Sequence, residues 1–246
     1  MLVMGILNVT PDSFSDGGKF ETPEKAIARA EEMIAEGVDI IDIGGESTRP
    51  GAERISDEEE QARVLPVIRA LADRDVTISI DTMRASTAEA AIKAGAHIVN
   101  DVSGGKADLE MFSTVASLGV PYIVMHWRGH SDVMDSLANY QDVVADVISE
   151  IMEQVEKAKS AGISQITIDP GLGFAKRAEH NWEILRHIEK FVATGYPVLV
   201  GGSRKRFLGG STPDEKEAAS IALTRELSQS GIWAVRVHSV APHKAV

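Results

Sequence analysis

Residues 76–101 read VTISIDTMRASTAEAAIKAGAHIVND and contain the smallest unit from which the fold can be predicted. The apolar, β-branched run at 76–80 predicts a buried strand. Residues 87–94 place apolar side chains three and four positions apart, which predicts a helix, and Gly95 is typical of a left-handed helix cap. A second strand-like run follows at 97–100. This order of elements predicts two parallel strands joined by a crossover helix.

The same unit repeats along the chain. Apolar runs that predict strands occupy residues 3–9, 38–43, 76–80, 97–100, 122–125, 165–168, 198–200 and 233–237. Helical periodicity occupies residues 24–36, 57–71, 87–94, 109–118, 141–161, 178–192 and 213–230. This alternation favours an α/β fold of the closed (β/α)₈ type, a TIM barrel of about 250 residues, over an open doubly wound sheet. We predict a single domain over residues 1–246, with the closing C-terminal helix apparently truncated, because the sequence given stops at Val246 soon after the eighth strand.

The composition excludes several classes of protein. Of 246 residues, 43% are hydrophobic and 25% are charged, which excludes a disordered chain. The 25 Lys and Arg against 37 Asp and Glu give a formal net charge of −12, which argues against nucleic-acid and membrane partners. No apolar run of about 18 residues and no leader pattern is present, so we expect a cytoplasmic protein. Without cysteine, a metal would be bound by oxygen or imidazole.

Polar residues follow the predicted strands at the edge where a barrel of this type carries its active site. A single Asp or Asn at a strand end is usually a helix cap or a turn residue. Because nearly every strand here ends in this way, a shared site is favoured over a set of separate caps. His126 could equally pack in the core or bind a ligand. The residues concerned are Asn8, Asp42, Asp81, Asn100, Asp101, His126, Asp169, Arg236 and His238.

Basic residues concentrate in the same loops, although the chain as a whole is acidic. They are Arg49, Arg204, Lys205, Arg206, Arg236 and His238. Such a cluster predicts an anionic ligand such as a pyrophosphate, although a solvated run of charge is an equal interpretation of residues 204–206 alone. Asn8 suits a Mg²⁺ ion held chiefly by substrate phosphates. Asp81 and Asp169 indicate either an acid and base pair of the glycosidase type or acceptors for a nitrogen heterocycle.

Seven blocks of sequence together resemble the dihydropteroate synthase family over essentially the whole chain. They are NVTPDSFSDGG (8–18), DIGGESTRPGA (42–52), SIDT (79–82), NDVSGG (100–105), DPGLGFAK (169–176), GGSRKRFLG (201–209) and VRVH (235–238). The resemblance implies a homodimeric transferase of folate biosynthesis, with a (β/α)₈ barrel. It also implies a Mg²⁺-dependent condensation of 6-hydroxymethyl-7,8-dihydropterin pyrophosphate with p-aminobenzoate, giving 7,8-dihydropteroate and pyrophosphate, and inhibition by sulfonamides.

The same resemblance implies roles for individual residues. Pterin binding is expected of Asp81, Asn100, Met125, Asp169, Phe174, Gly201 and Lys205. The p-aminobenzoate slot is expected to consist of Phe14, Thr48, Pro50, Phe174, Ser203 and Lys205. The pyrophosphate is expected to meet Asn8, Arg49, Arg236 and His238, with Asn8 also bound to Mg²⁺. The expected catalytic residues are Asp16, Asp81, Asp169, Lys205, Arg236 and His238. A dissociative, SN1-like displacement is expected, because the cations stabilise the charge that develops on the leaving pyrophosphate.

Three other functions are compatible with parts of this pattern. A pterin-dependent methyltransferase shares the barrel and the pterin contacts, but has no need of the loops at 10–18 and 203–205. A catalytically silent paralogue that binds pterin should have lost loop residues such as Phe14 or Arg49, and both are present. A Schiff-base aldolase would use Lys205, but this lysine follows its strand and is flanked by two arginines.

Overall fold

The computed structural model describes residues 1–10, 23–47, 54–130 and 133–246. The strands in these ranges are β1 (Leu2–Asn8), β2 (Ile40–Gly44), β3 (Thr77–Asp81), β4 (Ile98–Asp101), β5 (Tyr122–Met125), β6 (Ile166–Asp169), β7 (Leu199–Val200) and β8 (Ala234–Val237). They form one parallel sheet in the order β6-β5-β4-β3-β2-β1-β8-β7. A further parallel bridge between Ile168 and Val198 brings β6 to the start of β7. The sheet is a nearly closed barrel, which confirms the predicted (β/α)₈ fold.

Helices connect the strands on the outside of the barrel. In the described ranges they are α1 (Pro23–Ala35), α2 (Asp57–Leu71), α3 (Ala85–Ala94), α4 (Met111–Leu118), α5 (Val143–Ser160), α6 (Ala178–Arg186), α7 (Ile188–Val192), α8 (Pro213–Leu227) and α9 (Ala241–Lys244). The single helix predicted at 178–192 is two helices, because the backbone leaves helical geometry at His187, where φ is −120° and ψ is 30°. Across the described parts of the chain, no helix combines the length and apolarity that a membrane crossing requires.

Local sequence signals set several of these helix boundaries. Thr212 and Glu215 form a capping box at the start of α8, and Pro213 occupies its first turn. The Asp142 carboxylate accepts two backbone N–H groups from the first turn of α5. Gly95 ends α3 with φ at 119°, a conformation that residues with a Cβ rarely adopt. Caps of this kind fix these three helix ends close to the predicted positions.

The interior of the barrel is apolar near the amino-terminal ends of the strands. A buried cluster, here called the barrel plug, consists of Met4, Ile40, Ile98, Ile123, Leu199 and Ala234. A larger apolar core lies between the sheet and the helices and includes Ile41, Ile78 and Val99. Because side chains alternate along a strand, the residues two positions after the plug also point into the barrel, closer to its carboxyl end.

Candidate active site

A network of charged and amide side chains lies next to the plug, towards the carboxyl ends of the strands. Asp42, Asn100 and Arg236 each follow a plug residue by two positions. Arg236 Nε donates to Asp42 Oδ2 at 2.5 Å, and Arg236 Nη2 donates to Asp81 Oδ2 at 2.6 Å. Asn100 Nδ2 donates to Asp42 Oδ2 at 3.0 Å. These four residues, here called the polar layer, place two carboxylates, an amide and a guanidinium inside the barrel.

Burial changes the ionisation of the groups at this end of the barrel. Desolvation raises the pKa of Asp81 to about 7, although the neighbouring Arg236 opposes the shift. Desolvation also raises the pKa of Asp169, against the opposing effects of the Gly171 N–H group and Lys205. The pKa of Lys205 falls to about 8, chiefly through burial. Burial disfavours the charge of Arg236, but the two adjacent carboxylates raise its pKa, so this side chain stays a cation. The site therefore contains groups that titrate near neutral pH.

The loop after β6 brings three of the predicted site residues together. Asp169 Oδ1 accepts the N–H group of Gly171 at 2.7 Å. Lys205 Nζ donates to the carbonyl oxygen of Leu172 and lies 4.8 Å from the centre of the Phe174 ring. Asp169, Phe174 and Lys205 thus border one side of the barrel mouth.

The loop after β7 and the end of β8 carry further predicted residues. Gly201 lies beside Asp169, since a Cβ at this position would be 3.7 Å from Asp169 Oδ2. Ser203 Oγ is 3.1 Å from His238 Nδ1, and the His238 N–H group donates to Ser203 Oγ at 3.3 Å. The structure therefore joins one residue predicted for the p-aminobenzoate slot to one predicted for the pyrophosphate site.

The basic run at 204–206 is divided by the fold. Arg204 has φ at 58°, and its Nε donates to Glu217 Oε2 of α8 at 2.7 Å. Arg204 and Arg206 are both exposed, whereas Lys205 reaches the loop after β6. One of the three basic residues in this run therefore contacts the mouth, which makes the basic cluster smaller than the sequence indicates.

An apolar wall borders the polar layer. Met83, Val102 and Met125 form a small buried cluster, against which Phe174 packs. Met125 and Phe174 are predicted pterin-binding residues, whereas the sequence analysis missed Met83 and Val102. Each missed residue stands two positions after a polar strand-end residue, and this spacing is the only signal that could have identified it. Apolar side chains beside a few buried polar groups are typical of a site for a flat heterocycle.

Three buried polar residues at this end also lack a role in the sequence analysis. Asp42 is fully buried, and its Oδ1 has no hydrogen bond partner within the described ranges. Lys176 is part of the DPGLGFAK block, but nothing in the motif indicates its contacts. Lys176 Nζ lies 2.8 Å from His126 Nδ1, so His126, which the sequence left undecided, is a packed residue beside a buried lysine.

Five predicted site residues lie outside the described parts of the chain, and their roles stay predictions: Phe14, Asp16, Thr48, Arg49 and Pro50. Asn8 is half-buried at the end of β1, in register with Gly44. Within the described ranges, no group of three or more His, Asp or Glu side chains is arranged to hold a metal ion. A divalent cation beside Asn8 would fit as an ion with one neutral protein oxygen and most of its ligands from a bound anion.

Comparison with known proteins assigns this chain to a family. A model of pterin binding enzymes matches residues 4–238, which span every described site residue. The chain belongs to the pterin binding enzyme family. Dihydropteroate synthase from Mycobacterium leprae (strain TN) is 48% identical over 250 residues, covering 97% of this chain and 88% of that protein.

Solved structures of the same family agree with this assignment. Xanthomonas albilineans dihydropteroate synthase with 4-aminobenzoic acid is 41% identical, with a TM-score of 0.92 over 99% of this chain and 89% of that chain. Yersinia pestis dihydropteroate synthase in a sulfonamide drug complex is 38% identical, with a TM-score of 0.93 over 99% and 90% of the two chains. Because its relatives are dihydropteroate synthases, which are transferases, this family member is an enzyme of the transferase class.

Proposed function

We propose that this enzyme condenses 6-hydroxymethyl-7,8-dihydropterin pyrophosphate with p-aminobenzoate, giving 7,8-dihydropteroate and pyrophosphate. The observation that carries the proposal is the combination of buried acceptors and cations with an apolar wall at the barrel mouth. The dihydropteroate synthase names of the relatives support it.

The pterin is recognised by groups that complement its edge. Asp81 and Asp169 accept its amino and ring N–H groups, and Asn100 supplies a further amide contact. Lys205 donates to the pterin oxygen and a ring nitrogen. The ring faces pack on the apolar wall, which excludes water and strengthens each polar contact.

The pyrophosphate is bound by arginine and histidine side chains on one side of the pterin. Arg236 and His238 are the described groups, and Arg49 is the further expected one. Asn8 would hold a Mg²⁺ ion on the pyrophosphate oxygens, and this ion would supply charge neutralisation for the leaving group. Because Arg236 and His238 are positioned before the reaction, they stabilise the departing anion more than the intact ester.

The reaction is a dissociative displacement. The bond between the pterin methylene carbon and the pyrophosphate oxygen breaks, and pyrophosphate leaves with the electron pair. The methylene cation is delocalised into the pterin, and the carboxylates of Asp81 and Asp169 stabilise it. The amine of p-aminobenzoate then forms the new carbon–nitrogen bond and loses one proton to solvent. This order of steps needs no strong base, because the amine attacks a carbon that is already cationic.

The p-aminobenzoate lies between Phe174, Ser203 and Lys205, with Phe14, Thr48 and Pro50 expected on the opposite side. Asp16 is expected to act from the loop after β1. Sulfonamides resemble p-aminobenzoate in shape, and we propose that they inhibit this enzyme by occupying the same slot. From the resemblance alone we further propose a homodimer in the cytoplasm, which light scattering and cell fractionation would test.

The test of the proposed function is product formation from the two substrates, with and without Mg²⁺, measured by chromatography of dihydropteroate. We expect product that depends on both substrates and on Mg²⁺. Binding of the pterin pyrophosphate without any product would contradict the proposal and would favour a silent pterin-binding protein.

The dissociative step has its own test. Pterin pyrophosphate labelled with ¹⁸O at the bridging oxygen is incubated with enzyme, and p-aminobenzoate is omitted. Reversible cleavage should move the label into non-bridging positions of the recovered substrate. Retention of all label at the bridge, over a time in which the same enzyme supplied with p-aminobenzoate completes many turnovers, would indicate a concerted displacement instead.

A further inference from the structure

A buried lysine supports the loop that carries Phe174. Lys176 is 7% exposed, and its Nζ lies 3.1 Å from the carbonyl oxygens of both Gly171 and Phe174 and 2.8 Å from His126 Nδ1. These three acceptors match the three N–H groups of an ammonium. No carboxylate of the described residues makes an ion pair with it. Burial lowers the pKa of Lys176 well below its usual value, and the negative charge of Asp169 opposes this shift.

The tautomer of His126 is set by its second neighbour. His126 Nε2 lies 3.1 Å from Glu150 Oε2, and Arg128 Nη2 pairs with Glu150 Oε1 at 2.5 Å. Burial would raise the pKa of Glu150, but the hydrogen bonds from His126 and Arg128 lower it, so Glu150 is a carboxylate. A carboxylate accepts only, which places the imidazole proton on Nε2 and leaves the Nδ1 lone pair for Lys176.

The loop held in this way has an unfavourable backbone conformation. Ala175 has φ at 49°. Among the described residues, Arg204 is the one other non-glycine residue with a positive φ. Such a conformation is unfavourable for a residue with a Cβ and persists only where surrounding contacts maintain it. The Ala175 carbonyl accepts the Tyr140 hydroxyl at 2.9 Å, and the carbonyl before it accepts Lys176 Nζ. The left-handed turn therefore depends on two donors, the buried Lys176 and the half-buried Tyr140.

This turn determines where two groups of the site lie. Phe174 directly precedes Ala175, and the carbonyl of Leu172 in the same loop accepts Lys205 Nζ. A change in the turn would move the Phe174 ring relative to Lys205, which now lies 4.8 Å from the ring centre. Phe174 and Lys205 are assigned to both substrates, but the pterin also has Asp81 and Asn100, which stand on other strands and would keep their positions.

We propose that Lys176 is a positioning residue for the p-aminobenzoate slot, acting through the loop 171–176 under the control of His126 and Glu150. The inference rests on the proposed function, because it assigns Phe174 and Lys205 to that slot. Lys176 itself touches no reacting group, since its three N–H donors are taken by the loop and by His126. Because the pterin keeps its contacts with Asp81 and Asn100, the effect of Lys176 is expected to be larger for the second substrate.

The test compares Lys176→Met with Lys106→Met in steady-state kinetics. Lys106 is a matched control, because its Nζ also donates to a loop carbonyl, that of Trp127, at 2.8 Å. In Lys176→Met we expect the KM for p-aminobenzoate to rise about tenfold or more, with the KM for pterin pyrophosphate changed less than about threefold. The control should stay within about twofold for both substrates. Equal changes in the two KM values, or none, would overturn the proposal.

Two further measurements separate positioning from folding. Glu150→Gln removes the carboxylate that orients His126 and leaves Lys176 in place, so we expect a smaller but equally selective rise, about threefold. If Lys176→Met does not fold, Glu150→Gln becomes the deciding variant, and an unchanged KM for p-aminobenzoate in it overturns the proposal.

The ¹⁵N spectrum of His126 is the second measurement. It should show an unprotonated Nδ1 in the wild type and a raised His126 pKa in Lys176→Met, since Lys176 helps to hold that pKa at about 3 in the wild type. Wild-type protein that forms no dihydropteroate would overturn the proposed function, whereas an active wild type with a normal Lys176→Met variant overturns this inference alone.

Discussion

The two ends of the barrel interior have opposite chemistry, although the same strands build both. Ile40, Ile98 and Ala234 belong to the apolar plug, and the residues two positions later are Asp42, Asn100 and Arg236. The plug removes apolar surface from water and stabilises the fold. The polar layer buries charges whose desolvation offsets much of their attraction, so it contributes less to stability than to ligand recognition. Substitutions at the polar end should therefore lower activity most, and substitutions in the plug should lower the unfolding free energy most.

Asp169→Asn should give the largest loss of activity. In the wild type, Asp169 Oδ1 accepts the Gly171 N–H group, and the carboxylate also accepts N–H groups of the pterin. The amide of the variant keeps the shape of the carboxyl group but turns N–H donors towards N–H donors of the pterin. We expect turnover to fall by about 10³ to 10⁴, as measured by dihydropteroate formation. The melting temperature should change little, and a variant that keeps more than a tenth of the activity would contradict the assignment.

Asp42→Asn should reduce both activity and stability. It removes the carboxylate that accepts Arg236 Nε and orients the Asn100 amide. We expect a loss of about 10- to 100-fold in kcat/KM for pterin pyrophosphate, together with roughly 3 kcal/mol in unfolding free energy. Asp39→Asn is the control, because Asp39 pairs with Lys244 and accepts Val3 N–H at the opposite end of the barrel. Equal effects of the two substitutions on kcat/KM would argue against a special role of Asp42.

Leu199→Ala should give the reverse pattern at the plug. Leu199 is fully buried there, and truncating it leaves a cavity that should cost about 2–5 kcal/mol of unfolding free energy. Because Leu199 lies in the plug and not in the polar layer, turnover at 25 °C should stay within about twofold of the wild type. Urea denaturation and steady-state kinetics on the same preparation check both parts. A large loss of turnover in a folded protein would mean that the two ends are coupled.

The pH dependence of kcat/KM should be set by the titratable groups at the carboxyl end of the barrel alone. Asp81, with a pKa of about 7, accepts pterin N–H groups only as a carboxylate, so kcat/KM should fall as the pH drops below 7. Lys205, with a pKa of about 8, donates fully only as an ammonium, so kcat/KM should fall as the pH rises above 8. The expected profile is a bell with a maximum between these values and slopes of about tenfold per pH unit on either side. Leu199→Ala should keep both limbs, and a flat profile between pH 6 and 9 would contradict the assignment.

The sequence predicts most of the fold because the information is local. Runs of apolar residues, glycine caps and capping boxes act within a few positions, so the eight strands and the edge that carries the site follow from them. The break at His187 was missed, since helical periodicity continues across it.

The site was predicted less completely because its geometry depends on distant partners. Asp42 and Arg236 are 194 positions apart, and nothing near either residue indicates their hydrogen bond. Arg204 leaves the basic cluster because Glu217 lies on the next helix. Lys176 stands inside a matched motif, yet its role depends on His126 and Glu150 from two other elements.

The most direct test of the central claim is a calorimetric titration of pterin pyrophosphate into Asp169→Asn and Leu199→Ala, side by side with the wild type. The account predicts that Asp169→Asn weakens binding by about 100-fold or more, while Leu199→Ala stays within about threefold of the wild-type Kd despite its lower stability. Equal affinities in Asp169→Asn and the wild type, or a weaker Kd in Leu199→Ala than in Asp169→Asn, would contradict it.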